Sequence, residues 1–178
     1  MEPIDILDEK TGEKTGEVRS IDDVHVFGLW HRSSRVWIIN SKKEILLQHR
    51  DKSSMEYPNM WDVSAGGHIT AGDTSLDTAI NEVKEELGLD INSSDVKLVK
   101  ILTKKDVSKN GNYIDNSFED IYITRKDLEI DSLKMQEGEV QNLKWFSFSE
   151  FDEMVKSRNT ELVPHFEEYE FVLKEIEK

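Results

Sequence analysis

Ser64-Ala65-Gly66-Gly67-His68-Ile69-Thr70-Ala71-Gly72-Asp73, followed by Thr74-Ser75-Leu76-Asp77-Thr78-Ala79-Ile80-Asn81-Glu82-Val83-Lys84-Glu85-Glu86-Leu87-Gly88, is the stretch on which the fold turns. Its second half places Leu76, Ala79, Ile80, Val83 and Leu87 on one helical face over 74–87. Asp73 or Thr74 can cap the free N–H groups of the first turn, and Gly88 suits the left-handed position after the last. At about 100° per residue, Glu82 and Glu86 stand about 40° apart with Glu85 beside them, to one side of that stripe. Three carboxylates on one ridge repel each other unless a cation joins them. Mg²⁺ takes oxygen ligands and is commonly held by a few carboxylates plus substrate phosphates. The first half of the stretch is a small-residue loop that lets a phosphate approach the backbone and the positive end of the helix.

Outward from the helix, β-branched and apolar runs alternate with turn residues. Ile4–Leu7 and Thr15–Val18 flank Gly12 as an N-terminal hairpin, and Val36–Asn40 and Glu44–Arg50 flank Ser41-Lys42-Lys43 as a second. Trp61–Ile69 reads as a broken strand, and Val96–Thr103, Phe118–Thr124 and Val140–Phe148 read as strands. Lys105–Asn116 reads as a mobile, exposed loop. Ser149–Ser157 and Pro164–Ile176 read as closing helices, the second with Phe166, Tyr169, Val172, Leu173 and Ile176 inward. Strands before, between and after one central helix predict an α+β fold, a mixed sheet with helices on its faces. With 178 residues and no linker or repeat, the chain is expected to form one domain over 1–178.

The net charge of −14 opposes sequence-independent binding to duplex nucleic acid. With no cysteine there is no disulfide, thiolate metal site or thiol nucleophile. The acidic start, Met1-Glu2-Pro3-Ile4-Asp5, is unlike a signal peptide, and no apolar run nears the roughly 20 residues a membrane helix needs, so a cytoplasmic location is expected. An anionic substrate then needs local cations. Arg50, Arg32 and Lys52 are the candidates for phosphate, with Gly66 and Gly67 offering backbone. Trp30, Trp61 and Tyr57 read more simply as packing than as stacking platforms.

Gly67, five residues, Asp73, seven residues, then Asn81-Glu82-Val83-Lys84-Glu85-Glu86-Leu87-Gly88-Leu89 resembles the Nudix box, Gly-x5-Glu-x7-Arg-Glu-U-x-Glu-Glu-x-Gly-U with U aliphatic. Seven of nine specified positions match without a gap; Asp73 stands for Glu and Asn81 for Arg. The resemblance implies a Nudix-type α/β/α sandwich with a core over about 24–153, an added hairpin over 1–23 and a C-terminal helix in 154–178. It implies a pyrophosphohydrolase using Mg²⁺ or Mn²⁺ on a small-molecule diphosphate, such as a nucleoside diphosphate linked to another group. Glu82, Glu85, Glu86 and His68 are then metal-ligand candidates, and Glu85, Glu137 or Glu139 the candidate base. For His68, a loop residue bonding to backbone is an equal alternative.

Within that superfamily the chain resembles the branch of type I isopentenyl-diphosphate isomerase, through His31, Leu46-Leu47-Gln48-His49-Arg50, Pro58-Asn59-Met60-Trp61 and His68. In the isomerase, positions like His31 and His68 help bind a metal; without a second metal site His31 reads as structural. The isomerase cysteine falls at Gly66 and one of its glutamates at Ser117, with Glu119 two residues on along the same strand face. Hydrolysis is therefore the expectation, with a weakly active binding or regulatory protein and an isomerase as alternatives. A homodimer through the N-terminal hairpin is a further expectation.

Overall fold

A computed structural model describes residues 2–108 and 111–178. Strands β1 (Pro3–Leu7) and β2 (Lys14–Ser20) form a separate antiparallel pair. Helix α1 (Ile21–Phe27) leads into β3 (His31–Ile39), β4 (Ile45–Arg50), β5 (Trp61–Asp62) and β6 (Ala65–His68). Helix α2 (Ser75–Leu87), β7 (Val96–Val107), β8 (Ile114–Arg125), β9 (Val140–Phe146), α3 (Phe148–Lys156) and α4 (Phe166–Glu177) complete the chain. Seven strands make one mixed sheet in the order β5-β4-β3-β8-β7, with β6 added to β3 and β9 to β4. Only the β3–β8 pairing is parallel among the described strands.

The centre of β3 explains the layering. Val36, Trp37, Ile38 and Ile39 are all fully buried, so both faces of the strand are covered and its apolar run does not alternate with polar residues. Trp37 and Ile39 pack with Phe151 of α3 and with Tyr169, Val172 and Ile176 of α4. Val36 and Ile38 point the other way, onto Ala79, Val83 and Leu87 of α2. The result is the α/β/α sandwich expected, with α4 forming a full side of the main core.

Helix α2 begins where its caps say. Thr74 is the N-cap and its hydroxyl accepts from Asp77 N–H, while Gly88 takes φ 65° and closes on the Lys84 carbonyl. The N-terminal hairpin is docked: Ile4 is buried against Val24, Pro3 O accepts from Ala71 N–H, and Leu7 N–H donates to Trp30 O. Its apolar side is thus used within the chain.

Two readings need correction. Helix α1, capped by Ser20 and Gly28, was not expected; at seven residues it is too short for periodicity to stand out. The stretch Lys105–Asn116 is mostly hairpin, because β7 runs to Val107 and β8 starts at Ile114, paired with each other. Lysines along this outer strand disguised it as a loop, although charged residues are what protects an exposed sheet edge. Lys109 and Asn110, in the same stretch, lie outside the described residues. No described helix is long and apolar enough to cross a membrane.

Candidate active site

The site is organised by β6, a strand made almost without side chains. Its antiparallel register sets Gly66 opposite Arg35 and His68 opposite Ser33, while Gly67 lies opposite Ser34. Gly66 and His68 therefore share one face and Gly67 has the other. Gly67 faces α2 so closely that a Cβ there would lie 2.1 Å from Glu82 Oε1. Gly66 faces β3, where a Cβ would meet the Ser34 carbonyl at 2.7 Å.

On the α2 side stands the carboxylate ridge. Glu86 is 4% exposed, and its Oε2 accepts from Gly66 N–H at 3.1 Å and from Gln48 Nε2 at 3.3 Å. Both donors are neutral. Burial, then the charge of Glu82, pushes the Glu86 carboxyl well above its ordinary range. Burial, then Glu85 and Glu139, pushes Glu82 up to about 7. Glu85 itself is exposed. Glu139 is carried by the loop before β9, which is tied to α2 by Gln136 N–H on the Glu86 carbonyl; Gln136 also donates to Glu139 at 2.8 Å. Glu137 is exposed and is not among the charges acting on the buried pair, so Glu139 is the late-loop carboxylate beside it. Asp73 and Asn81, the two box departures, are both exposed.

On the other face lies a cavity of about 140 Å³ lined by Gly66, Gly67 and His68, with Arg35, Arg50 and Lys104 among its walls. Strand parity brings these together. In register with Arg35, Ser33 and His31 of β3 are Ile121, Glu119 and Ser117 of β8, and opposite the last two lie Leu102 and Lys104 of β7. That same parity corrects the Arg32 reading: an odd step from Arg35, it points to the opposite face, where it pairs with Asp120 at 2.7 Å and reaches the Gly12 carbonyl. Lys52 is also displaced, exposed in a turn and absent from the cavity wall. Arg50 is present, though its Nε donates to the Glu56 carbonyl and Nη1 lies 3.5 Å from Asp62. Arg35 and Lys104 were missed; an arginine inside a buried strand was the available signal for the first. Tyr57 lines the cavity with its hydroxyl on Asp106 at 2.7 Å, whereas Trp30 packs on Phe118 and Trp61 on His49 and Phe146.

His31 and His68 come together as the resemblance implied, and His25 of the unforeseen α1 joins them. One ring nitrogen from each lies within 4.8 Å of the others. His25 Nε2 is 3.2 Å from His68 Nε2 and 3.0 Å from the Tyr113 hydroxyl. Burial first, then the neighbouring imidazoles, drops His68 to about 3, and burial lowers His25 and His31 as well. Neutral imidazoles are the metal-binding form. His31 Nε2 and Asp115 Oδ1 are buried, 3.6 Å apart and without hydrogen-bond partners, and a neutral His31 makes no ion pair with Asp115. Two orphaned donor atoms beside convergent nitrogens fit a divalent cation. So do the Glu82 and Glu86 carboxylates, which have no cation of their own among the described residues.

The NUDIX domain matches residues 29–166. Nudix hydrolase 3 of Arabidopsis thaliana is 32% identical over 167 residues, 92% of this chain but 22% of its own, so this chain spans about a fifth of that relative. An uncharacterized Nudix hydrolase of Listeria monocytogenes is 31% identical, with 93% of this chain and 90% of its own covered. An isopentenyl-diphosphate Delta-isomerase of Serratia proteamaculans is 31% identical over 100 residues, 56% of this chain and 54% of its own. Among solved structures, a Deinococcus radiodurans protein superposes with a TM-score of 0.70 at 20% identity, over 95% of this chain and 98% of its own.

Proposed function

The chain belongs to the Nudix family, and from that premise we propose that it is a pyrophosphohydrolase dependent on Mg²⁺ or Mn²⁺. Its substrate is an organic diphosphate, such as a nucleoside diphosphate linked to a second group, met in the cytoplasm. The observation that carries this reading is Glu86, a buried carboxylate with only neutral donors, beside a second carboxylate and a cavity walled by cations.

Bound divalent ions would neutralise diphosphate oxygens and ease ionisation of a water. Glu82, Glu85 and Glu86 would hold the ion at the box, and His25, His31 and His68 a second one. With glycine at 66 and 67, no side chain of β6 separates the carboxylates from the cavity. Arg50 and Lys104 set positive charge towards the diphosphate, and Tyr57, its hydroxyl on Asp106, forms part of the same wall. Glu85 or Glu139 takes the proton of the attacking water. The water oxygen bonds to phosphorus, the bridging P–O bond breaks, and its electron pair leaves with the departing phosphate.

The isomerase alternative is weakened twice. Gly66 lacks the thiol, and a side chain there would strike the Ser34 carbonyl, so the backbone itself is arranged for glycine. Nucleoside, sugar-nucleotide and prenyl diphosphates, screened with Mg²⁺ and Mn²⁺ beside Glu86→Gln, test the proposal. Metal-dependent phosphate-ester release lost in Glu86→Gln is expected. Double-bond migration, or metal-shifted melting without turnover, would replace the reading with isomerase or binding protein.

A further inference from the structure

His165 occupies a place normally held by a helix-capping residue and caps nothing. It is the N-cap of α4, directly after Pro164, yet its side chain makes no capping bond, where Ser, Thr, Asp or Asn would. Its backbone carbonyl accepts from Tyr169 N–H, and the ring stands edge-on to Tyr169 on one side and Tyr57 on the other, each at 6.3 Å. The ring nitrogens have no hydrogen-bond partner among the described residues.

The ring borders two spaces. It lines the inner cavity of about 140 Å³ and a second of about 350 Å³ formed by Leu102, Thr103, Asp106, Pro164, Phe166 and Glu167. Lys104, Asp106 and Glu119 are also common to both, so the two are neighbouring chambers and His165 borders each. Small-molecule sites commonly span roughly 300–1,000 Å³, which the inner chamber reaches only with the outer. The inner chamber holds the cations suited to a diphosphate. The outer one shares Lys104 but lacks Arg35 and Arg50: Lys105 is held by Glu9 at 2.7 Å, and Asp106 and Glu167 add acceptors. Carboxylates beside the Phe166 ring suit a neutral, hydroxyl-bearing group with a flat or ring-shaped face, not a further phosphate and not a purely apolar chain. Burial, with Arg35 and Lys104 close by, keeps the His165 ring uncharged, so it offers one donor and one acceptor and no counter-charge.

We propose that His165 determines specificity by hydrogen-bonding the hydroxylated organic group that a diphosphate substrate extends from the inner chamber into the outer one. This rests on the hydrolase reading above. The group it touches is remote from the reacting phosphorus, so its loss weakens substrate and transition state alike and shows in KM.

The test compares ADP-ribose, hydroxylated on both sides of its diphosphate, with geranyl diphosphate, whose organic group is apolar. His165→Ala is expected to raise KM for ADP-ribose about tenfold at unchanged kcat, the worth of roughly one good hydrogen bond. The ratio of kcat/KM for ADP-ribose over geranyl diphosphate falls with it, and His165→Gln restores part of the loss. Glu167→Trp, an exposed change in the first turn of α4 that fills the outer chamber, is expected to shift the same ratio and keeps the inference testable should His165→Ala misfold. Equal losses on both substrates, a fall in kcat alone, or no change would overturn the role of His165. Absence of metal-dependent turnover of every diphosphate by the wild type would instead overturn the hydrolase reading, and this inference with it.

Discussion

Two buried charge clusters lie on either side of the glycine strand, and they are solved in opposite ways. In the first, Arg35 reaches Asp62 at 2.6 Å and Glu168 at 2.7 Å, and Glu168 also accepts from Trp37 Nε1 at 2.8 Å. One guanidinium serves both acids there: Asp62 is held low, while burial outweighs Arg35 at Glu168 and pushes its carboxyl up to about 7. In the second, Glu82 and Glu86 face each other with Glu139 and Glu85 nearby and only a backbone amide and a glutamine as donors. Folding supplies the first cluster with a cation of its own, whereas the second stays in debt to something outside the chain. An unpaired buried carboxylate is costly enough that its persistence marks function.

The comparison breaks most visibly at Arg35. Arg35→Met would strand Asp62 and Glu168, and a loss of about 3–5 kcal/mol is expected by chemical denaturation. A loss below 1 kcal/mol would mean the first cluster is no better paired than the second. Glu86→Gln should behave in the reverse sense. It keeps an acceptor for Gly66 N–H while removing repulsion, so the metal-free melting temperature should hold or rise as metal-dependent turnover falls at least about 100-fold. A fall in metal-free melting temperature would show that the Glu86 charge is structural.

Divalent metal should stabilise the wild type by up to about 2.7 kcal/mol at a hundred times its dissociation constant, and Glu86→Gln by less, read as a Mg²⁺-dependent melting shift. Lowering pH tests the first cluster. Burial would raise the Asp62 carboxyl, but Arg35, His165, Arg50 and the Val63 N–H together outweigh it and hold it below its ordinary value of 3.8. Its contribution is therefore complete above that value and is lost progressively as pH falls below it towards the lowered folded value. Denaturant midpoints should drop from about pH 4 downwards, and Asp62→Asn should flatten that drop while lowering stability at neutral pH. The smallest effect is at the exposed Asn81. Asn81→Arg would offset part of the ridge by a few tenths of a kcal/mol, a rise of about 1 °C without metal that disappears with it.

Much of the fold was legible because it is written in short-range pattern. The α2 stripe, Thr74, Gly88 and the hairpin turns each depend on residues within a few positions. The carboxylate ridge follows from helix geometry for the same reason. The cavity was less legible. Arg32 and Arg35 are equivalent as sequence, and only the β3–β6–β8 register sends Arg35 to the cavity and Arg32 to Asp120. His25 sits on a helix too short to announce itself, and it meets His31 and His68 by packing alone. His165 lies 97 residues beyond His68.

By itself, then, the sequence determined the capped helix, its three carboxylates and the glycines that leave room beside them, since those relations are set by 3.6 residues per turn and by the absence of a Cβ. Tertiary structure decided which cations and imidazoles face the substrate, because strand register assigns each side chain to a face and a shift of one residue reverses every assignment.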